Sequence, residues 1–179
     1  SVNSRADTVD LRERVRVYGF LESRPPGRNF RARRKEADMP KSMLETLFSL
    51  RDKTALITGG YRGIGLLFAE TYAEAGANVV LAARNREACV SSAKAIETEY
   101  GVKAIGIAMD VHDTKTVDSA VEEVTGEFGT IDILVNSAGI SGKQKPVVEM
   151  TDADLDEVMN VDFRGTFLVS RAVSREMIK

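Results

Sequence analysis

The chain has 179 residues, of which 43% are apolar, so it is long enough for one globular domain with a buried core. Its formal net charge of −2 does not favour a general nucleic-acid binder. The single cysteine excludes an internal disulfide, the single histidine cannot by itself build a metal site, and no apolar run is long enough to span a bilayer. We therefore expect a cytoplasmic protein that binds neither a metal, a nucleic acid nor a membrane.

The beginning of the chain differs in composition from the rest. Residues 1–50 carry 11 Lys/Arg and seven Asp/Glu, whereas residues 51–179 carry 14 and 20. An arginine-rich composition without a sustained apolar face predicts a disordered basic leader over residues 1–42, ahead of a folded domain over residues 43–179. Mitochondrial targeting by the leader stays open, although its acidic residues are unusual for a transit peptide.

Strand and helix patterns alternate along the folded part of the chain. Strands are predicted at Thr54–Thr58, Asn78–Ala82, Lys103–Met109 and Ile131–Asn136. Helices are predicted at Ile64–Ala75, Arg86–Tyr100 and Thr114–Phe128, and a long last helix is predicted from the N-cap Thr151 towards Lys179. This alternation predicts an α/β fold, the first half of a Rossmann-type doubly wound parallel sheet with about four strands and four helices.

Two details of packing follow from the same patterns. The strands are apolar throughout, which indicates that helices cover both faces of the sheet. The buried stripe of the second helix is predicted to comprise Val90, Ala93, Ile96 and Tyr100. Cys89, on the same helix, is expected to be a packing residue.

Four glycines lie within seven positions between the first strand and the first helix, at 59, 60, 63 and 65. The N-terminus of a helix offers free N–H groups and the positive end of the helix dipole, so it attracts anions. Glycine lets the backbone turn tightly and lets a pyrophosphate approach it. The spacing Gly-x-x-x-Gly-x-Gly departs from the dinucleotide-binding fingerprint Gly-x-Gly-x-x-Gly. On the glycines alone, a tight turn that binds no ligand is an alternative.

The segment TGGYRGIG, residues 58–65, resembles the cofactor signature T-G-x-x-x-G-x-G of the short-chain dehydrogenase/reductase family. Further matches to the family are Asp110-Val111 after the third strand, Asp132 at the fourth, and NSAG at 136–139, where the family has N-N-A-G. The resemblance covers about residues 49–179. FSLRDKTALITGG is similar to gluconate 5-dehydrogenase-like and 3-oxoacyl reductase-like members. The resemblance to the family implies that this chain is the N-terminal half of an oxidoreductase whose full-length form is a homo-oligomer.

The resemblance also implies roles for individual residues. The implied cofactor-binding residues are Gly59, Tyr61, Arg62, Gly63, Ile64, Gly65, Arg84, Asp110, Val111, Asn136, Ala138 and Gly139. In the family, the Asp at the position of Asp110 recognises adenine, and the acidic residue at the position of Asp132 steadies the turn. Thr58 is expected to satisfy backbone groups of the glycine turn, and His112 to lie in a loop near the adenine edge.

One residue departs from the family's catalytic pattern. Asp162, in the segment VDFRG, stands where the family usually has the Asn of its proton-relay tetrad. It is therefore the one candidate catalytic residue in the chain. Because Asp replaces Asn, a proton relay through water that works as in the rest of the family is in doubt.

Two arginines favour a cofactor with a 2′-phosphate. A domain that binds NAD usually places Asp or Glu about 20 residues after the glycines, where it binds the ribose hydroxyls. The corresponding position is Ala83, which is followed at once by Arg84, and Arg62 projects from the glycine turn nearby. Guanidinium groups bind phosphate oxygens in a bidentate fork, so we expect NADP(H). The alternative is that both arginines are merely solvated.

The family's catalytic Tyr-x-x-x-Lys pair and Ser are absent. None of the four tyrosines has a lysine four residues later, and the chain stops at Lys179, ahead of the place of the family's Ser. The resemblance implies an NADP(H)-dependent oxidoreductase that interconverts an alcohol and a carbonyl on a sugar acid, polyol or 3-oxoacyl substrate, with this chain inactive alone. A truncated, non-catalytic nucleotide-binding or interaction module is the alternative. A methyltransferase-like domain is disfavoured because Arg62 and Arg84 would have no phosphate to bind.

Overall fold

The computed structural model describes residues 47–179. The leader predicted over residues 1–42 lies outside the described residues. The leader and the domain boundary at residue 43 therefore stay predictions.

Four parallel strands form the sheet, in the order β3-β2-β1-β4. The strands are β1 (Thr54–Thr58), β2 (Asn78–Ala83), β3 (Ala104–Ala108) and β4 (Ile133–Asn136). The helices are α1 (Gly63–Glu74), α2 (Arg86–Tyr100), α3 (Thr114–Phe128), α4 (Asp152–Val158) and α5 (Thr166–Met177). This is the α/β architecture and the strand order that the alternation predicts, with strand ends that differ by one or two residues.

The bounds of α2 and α3 match the sequence prediction because polar caps fix where these helices begin. The Asn85 side chain accepts a hydrogen bond from the Ala88 N–H, and the Asp113 side chain accepts one from the Lys115 N–H. Each helix ends at a glycine. The predicted N-cap of α4 is also confirmed, because Thr151 forms a reciprocal capping box with Asp154.

The sheet separates two apolar cores. Helices α3 and α5 cover one face, where the buried side chains include Leu56, Val80, Ile107, Val117, Val124, Val169 and Val173. Helices α1 and α2 cover the other face, where they include Ile57, Ala69, Ala73, Val79, Leu81, Cys89 and Ile96. All five residues of β1 are buried. Burying a side chain of this size contributes about 1.5–3 kcal/mol, so the central strands anchor the fold.

β4 packs against both cores but is covered less completely than β1 and β2. Its three apolar residues are only partly buried and Asn136 is exposed. Among the described residues β4 pairs with β1 alone, so its outer side has no strand beside it.

Two predictions about helices need correction. On α2, Cys89 is fully buried whereas Val90 is 46% exposed, so Cys89 belongs to the buried stripe and Val90 does not. The long helix predicted after Thr151 is interrupted, since a π-helical turn over Met159–Gly165 separates α4 from α5. Such turns often lie at functional sites.

Candidate functional site

A cavity of about 440 Å³ lies at the carboxyl ends of the strands. In an open parallel sheet, ligands bind beyond the carboxyl ends, at the point where the strand order reverses, which here is between β1 and β4. The residues that line it are Gly59, Tyr61, Arg62, Gly63, Ile64, Gly65, Ala82, Ala83, Arg84, Met109, Asp110, Val111, Ser137, Ala138, Gly139, Ile140 and Val161. The cavity thus brings together all but one of the predicted cofactor-binding residues, the exception being Asn136.

The glycine turn forms the floor of the cavity. Gly59 has a φ of 65°, and its N–H donates to the Ala82 carbonyl at 2.8 Å. A Cβ on Gly65 would lie 2.5 Å from the Gly59 carbonyl oxygen, so only glycine lets α1 begin this close to β1. Arg62, the N-cap of α1, makes no side-chain bond to the helix. The first N–H groups of α1 are therefore not capped by that side chain and suit an anion.

Thr58 joins the ends of β1 and β4. Its hydroxyl oxygen accepts hydrogen bonds from the N–H groups of Ser137 and Ala138, each at 3.0 Å. These bonds hold the segment after β4 against the cavity. The expectation that Thr58 serves the glycine turn is wrong, because the partners of its hydroxyl lie in β4 and on the segment after it.

Two residues of the fourth-strand motif point away from the cavity. The Asn136 amide donates to the Ser170 hydroxyl at 3.0 Å, which ties β4 to α5. Asp132 lies just before β4, at the opposite end of the sheet, where its carboxylate accepts bonds from Lys53 Nζ and the Thr54 N–H, each at 2.9 Å. Asp132 therefore links β1 to β4 at their amino ends rather than steadying a turn at the cavity.

The electrostatics of Asp132 agree with that structural role. Partial burial of the carboxylate tends to raise its pKa. The hydrogen bonds from Lys53 and Thr54 and the lysine charge together outweigh this effect, so the pKa of Asp132 lies below its ordinary value.

Two unpaired cations flank the cavity. Arg62 and Arg84 both line it, as does Ala83, which precedes Arg84 and occupies the position where an acid would bind ribose hydroxyls. Among residues 47–179 neither arginine has an acidic partner, whereas Arg86, two residues further on, is paired with Glu123 at 3.2 Å. The Arg62 guanidinium lies 5.3 Å from the centre of the Tyr61 ring, a cation–π distance.

The end of β3 supplies an acidic group to the same cavity. Asp110 lines it, and its Oδ1 lies 2.7 Å from Nδ1 of His112. The His112 carbonyl accepts a bond from Arg164 at 3.1 Å, which joins this turn to the π-helical turn. His112 thus lies in a loop at this edge of the cavity.

Asp162 does not line the cavity but holds part of its wall. Its Oδ1 accepts a bond from the Ile140 N–H at 2.9 Å, and its carbonyl accepts one from the Thr166 hydroxyl at 2.7 Å. Ile140 and Val161, its neighbours in space and in sequence, do line the cavity. An Asn at this position could also accept the Ile140 bond, so the substitution preserves this contact.

A second acidic residue fixes the segment after β4 to α4. The Asp154 carboxylate is 4% exposed and contacts Lys143 Nζ at 2.8 Å and Lys145 Nζ at 2.5 Å. Hydrogen bonds from Lys143, Lys145 and Thr151, in that order, hold the pKa of Asp154 far below its ordinary value. The sequence gives no sign of this ion-pair cluster, because its lysines lie in a loop without periodicity.

Sequence reasoning missed five residues that line the cavity, namely Ala82, Met109, Ser137, Ile140 and Val161. Each of them adjoins a predicted site residue or motif position, and that adjacency was the available signal. Val161 lies in the π-helical turn, which helical periodicity did not predict. Cys89 has no role in it: the side chain is fully buried, and burial raises the pKa of its thiol.

Residues 47–179 contain no group of three or more His, Cys, Asp or Glu side chains that could hold a metal ion. Within the same range, no helix has the length and apolar character needed to cross a membrane.

A family model described as short chain dehydrogenase matches residues 53–179. The chain is 40% identical over 130 residues to the 3-oxoacyl-(acyl-carrier-protein) reductase of Aquifex aeolicus, covering 73% of this chain and 52% of that protein. It is 42% identical over 132 residues to the gluconate 5-dehydrogenase of Gluconobacter oxydans, covering 74% and 51%. The chain therefore spans about half the length of these curated relatives.

Solved structures with the same fold include proteins with either nicotinamide cofactor. The L-sorbose reductase of Gluconobacter frateurii, complexed with NADPH and L-sorbose, is 33% identical with a TM-score of 0.68, and the match covers 73% of this chain and 49% of that one. An NAD⁺-bound xylitol dehydrogenase is 36% identical with a TM-score of 0.69, with 72% and 49% covered.

Proposed function

Since the chain belongs to the short-chain dehydrogenase family, we propose that it is the NADP(H)-binding part of an oxidoreductase that interconverts an alcohol and a carbonyl on a small substrate. The observation that carries the choice of cofactor is the pair of cavity-lining arginines, Arg62 and Arg84, which have no acidic partner among the described residues. Family membership alone does not choose the cofactor, because similar structures hold NAD⁺ or NADPH.

The charges and shapes of the cavity residues suit NADP(H). The N–H groups at the start of α1 would hold the pyrophosphate, which can approach because Gly59 and Gly65 have no side chains. Arg62 and Arg84 would bind the 2′-phosphate, and Ala83 offers no carboxylate to repel it. A hydrogen bond to a charged group contributes about 1.5–3 kcal/mol, so two such contacts favour NADPH over NADH by on the order of a hundredfold or more.

We assign the remaining cofactor contacts from the position of each residue in the cavity. Asp110 and Val111 would face the adenine, with Ile64 and Tyr61 on the glycine-turn side. Ala138 and Gly139 would line the part of the cavity nearest β4, on a wall that Asp162 holds through Ile140. Asp162 then acts by positioning this wall. Asn136 would support the same end of β4 through Ser170.

Reduction of a carbonyl needs both a hydride and a proton donor, and this requirement limits what the chain can do alone. NADPH, when bound, supplies a hydride to the substrate carbonyl. The alkoxide that results needs a positioned proton donor, and proton transfer by such a group contributes typically about 10²–10⁴-fold to the rate. No tyrosine in the 179 residues is followed by lysine at the fourth position, so we expect the chain alone to bind the cofactor without turnover.

The substrate class follows from relatives. The curated proteins that the chain resembles are named for gluconate, sorbitol, galactitol and 3-oxoacyl substrates. A sugar acid, a polyol or a 3-oxoacyl thioester is therefore the proposed substrate, and the full-length form is proposed to be a homo-oligomer. The second candidate function is a non-catalytic module that would bind a nucleotide in the same cavity without turnover.

Calorimetric titration with NADPH, together with an NADPH-oxidation assay over a panel of sugar-acid, polyol-derived and 3-oxoacyl carbonyls, tests the proposal on the 179-residue chain. We expect saturable NADPH binding and no turnover. Sequencing the transcript then separates the two candidates, since a reading frame that continues into a Tyr-x-x-x-Lys segment favours the enzyme. A chain that binds no NADPH would contradict both candidates, and a chain that turns over substrate would contradict the assignment of its chemistry.

A further inference from the structure

We propose that His112 is a positioning residue for adenine recognition: it holds one oxygen of the Asp110 carboxylate so that the other oxygen can accept a bond from the base. The inference rests on the proposed NADP(H) site and assigns a specificity-determining role to a residue that the site itself does not explain.

Geometry supplies the first argument. Asp110 Oδ1 lies 2.7 Å from His112 Nδ1 and 3.5 Å from the His112 backbone nitrogen, so one side chain and one N–H both hold this oxygen. Among the described residues Oδ2 has no hydrogen-bond partner. Asp110 also lines the cavity, which leaves Oδ2 as an acceptor available to a bound ligand.

The turn that carries the pair is fixed independently of the imidazole. The Thr116 hydroxyl accepts the Asp110 N–H at 3.1 Å and lies 2.9 Å from the Asp110 carbonyl oxygen. The His112 carbonyl is bound by Arg164, whatever side chain residue 112 carries. Replacing the imidazole should therefore free the carboxylate without moving the backbone, and a 46% exposed side chain is seldom needed for folding.

The chemistry of the base supplies the second argument. An ionised carboxylate only accepts hydrogen bonds, and adenine presents an exocyclic amino group that donates them. Hypoxanthine has a carbonyl oxygen at that position, which a carboxylate oxygen repels. A carboxylate held in one orientation therefore distinguishes the two bases, whereas a freely rotating carboxylate distinguishes them less well because it must be ordered on binding.

The test compares NADPH with its hypoxanthine counterpart, in which a carbonyl oxygen replaces the amino group and N1 carries a hydrogen, by calorimetric titration of the 179-residue chain. We expect the wild type to bind the adenine form about tenfold or more tightly than the hypoxanthine form. His112→Ala should reduce this ratio several-fold. His112→Asn places an amide donor near the position of Nδ1 and should restore most of it.

Two controls separate base recognition from a general loss of affinity. Lys115→Ala changes an exposed neighbour whose side chain has no hydrogen bond or ion pair with the described residues, and it should leave the ratio unchanged. Arg84→Ala should weaken both forms alike. A wild type that binds both forms equally would overturn this inference but not the proposed function, and so would a His112→Ala variant with the wild-type ratio. A wild type that binds neither form would overturn both.

Discussion

The sheet contributes to one cavity from two regions that are held together in different ways. In the buried region, residues 54–108, all five residues of β1 and four of the six in β2 are buried, and the cavity floor is backbone. In the edge region, residues 133–177, no residue of β4 is fully buried. There the cavity wall is fixed by polar contacts, from Thr58 of β1 to Ser137 and from Asp162 to Ile140, and the segment beyond it is held by Asp154. The anion-binding floor thus depends on close packing, and the wall depends on individual hydrogen bonds.

This difference predicts how each region responds to substitution. Substitutions that change side-chain volume in the buried region should lower the free energy of unfolding, because the close-packed backbone there cannot shift to accommodate them. Changes to the polar side chains of the edge region should alter ligand binding and pH dependence more than the unfolding free energy. The exposed apolar side chains of the edge region, including Leu155, Phe163 and Phe167, contribute little to the described core.

The largest effect is expected for Gly106→Ala in β3. A Cβ at this position would overlap the backbone of Cys89 and Val90, which cannot move without displacing α2. We expect a loss of about 3 kcal/mol or more of unfolding free energy, or no folded protein. Gly126→Ala is the matched control, because nothing lies within 4 Å of its Cβ position in α3, and alanine should stabilise the helix by about 0.5–1 kcal/mol. Equal denaturation midpoints for the two variants would refute close packing of α2 on β3.

An intermediate effect is expected for Asp162→Ala in the edge region. The substitution leaves the Ile140 N–H without its acceptor and loosens the cavity wall. NADPH affinity measured by calorimetry should fall about tenfold, while the unfolding free energy changes by about 1 kcal/mol or less. Asp162→Asn keeps an acceptor and should bind nearly as the wild type does. If the alanine variant kept full affinity, the wall would not depend on this bond.

The smallest effect is expected for Asp154→Asn, and it concerns how the melting temperature depends on pH. Because Lys143, Lys145 and Thr151 lower the pKa of Asp154 in the folded state, the folded chain holds its carboxylate ionised. That stabilisation is fully present above the unfolded pKa of about 3.9 and is lost as the pH falls through the folded pKa. The wild type should therefore exceed Asp154→Asn in melting temperature near pH 7, and the gap should narrow below about pH 4. Asp152→Asn, a variant of an exposed aspartate in the same helical turn, should show no such pattern, and a gap independent of pH would contradict the ion-pair explanation.

Sequence reasoning succeeded where structure is determined locally. The bounds of α2 and α3 follow from the caps Asn85 and Asp113 and from the glycines at their ends, all within the same short segments. The glycine turn could be predicted because its function requires glycine at positions fixed by backbone approach.

It failed where distant residues decide the structure. The π-helical turn accompanies bonds from Asp162 to Ile140 and from Arg164 to His112, which are 22 and 52 positions away. Helical periodicity in the sequence cannot predict such contacts. Asp132 was expected to steady a turn, and its actual partners Lys53 and Thr54 could not be predicted because only strand pairing brings them to it.

The central claim is that Arg62 and Arg84, which have no acidic partner among residues 47–179, select a 2′-phosphate. The dissociation constants of NADPH and NADH test it directly. The wild-type chain should prefer NADPH by about a hundredfold or more, and Arg84→Ala should reduce this preference about tenfold or more. Arg86→Ala, which removes an arginine already paired with Glu123, should leave it unchanged. Equal binding of the two cofactors by the wild type, or an Arg84→Ala variant with the wild-type preference, would contradict the assignment of NADP(H).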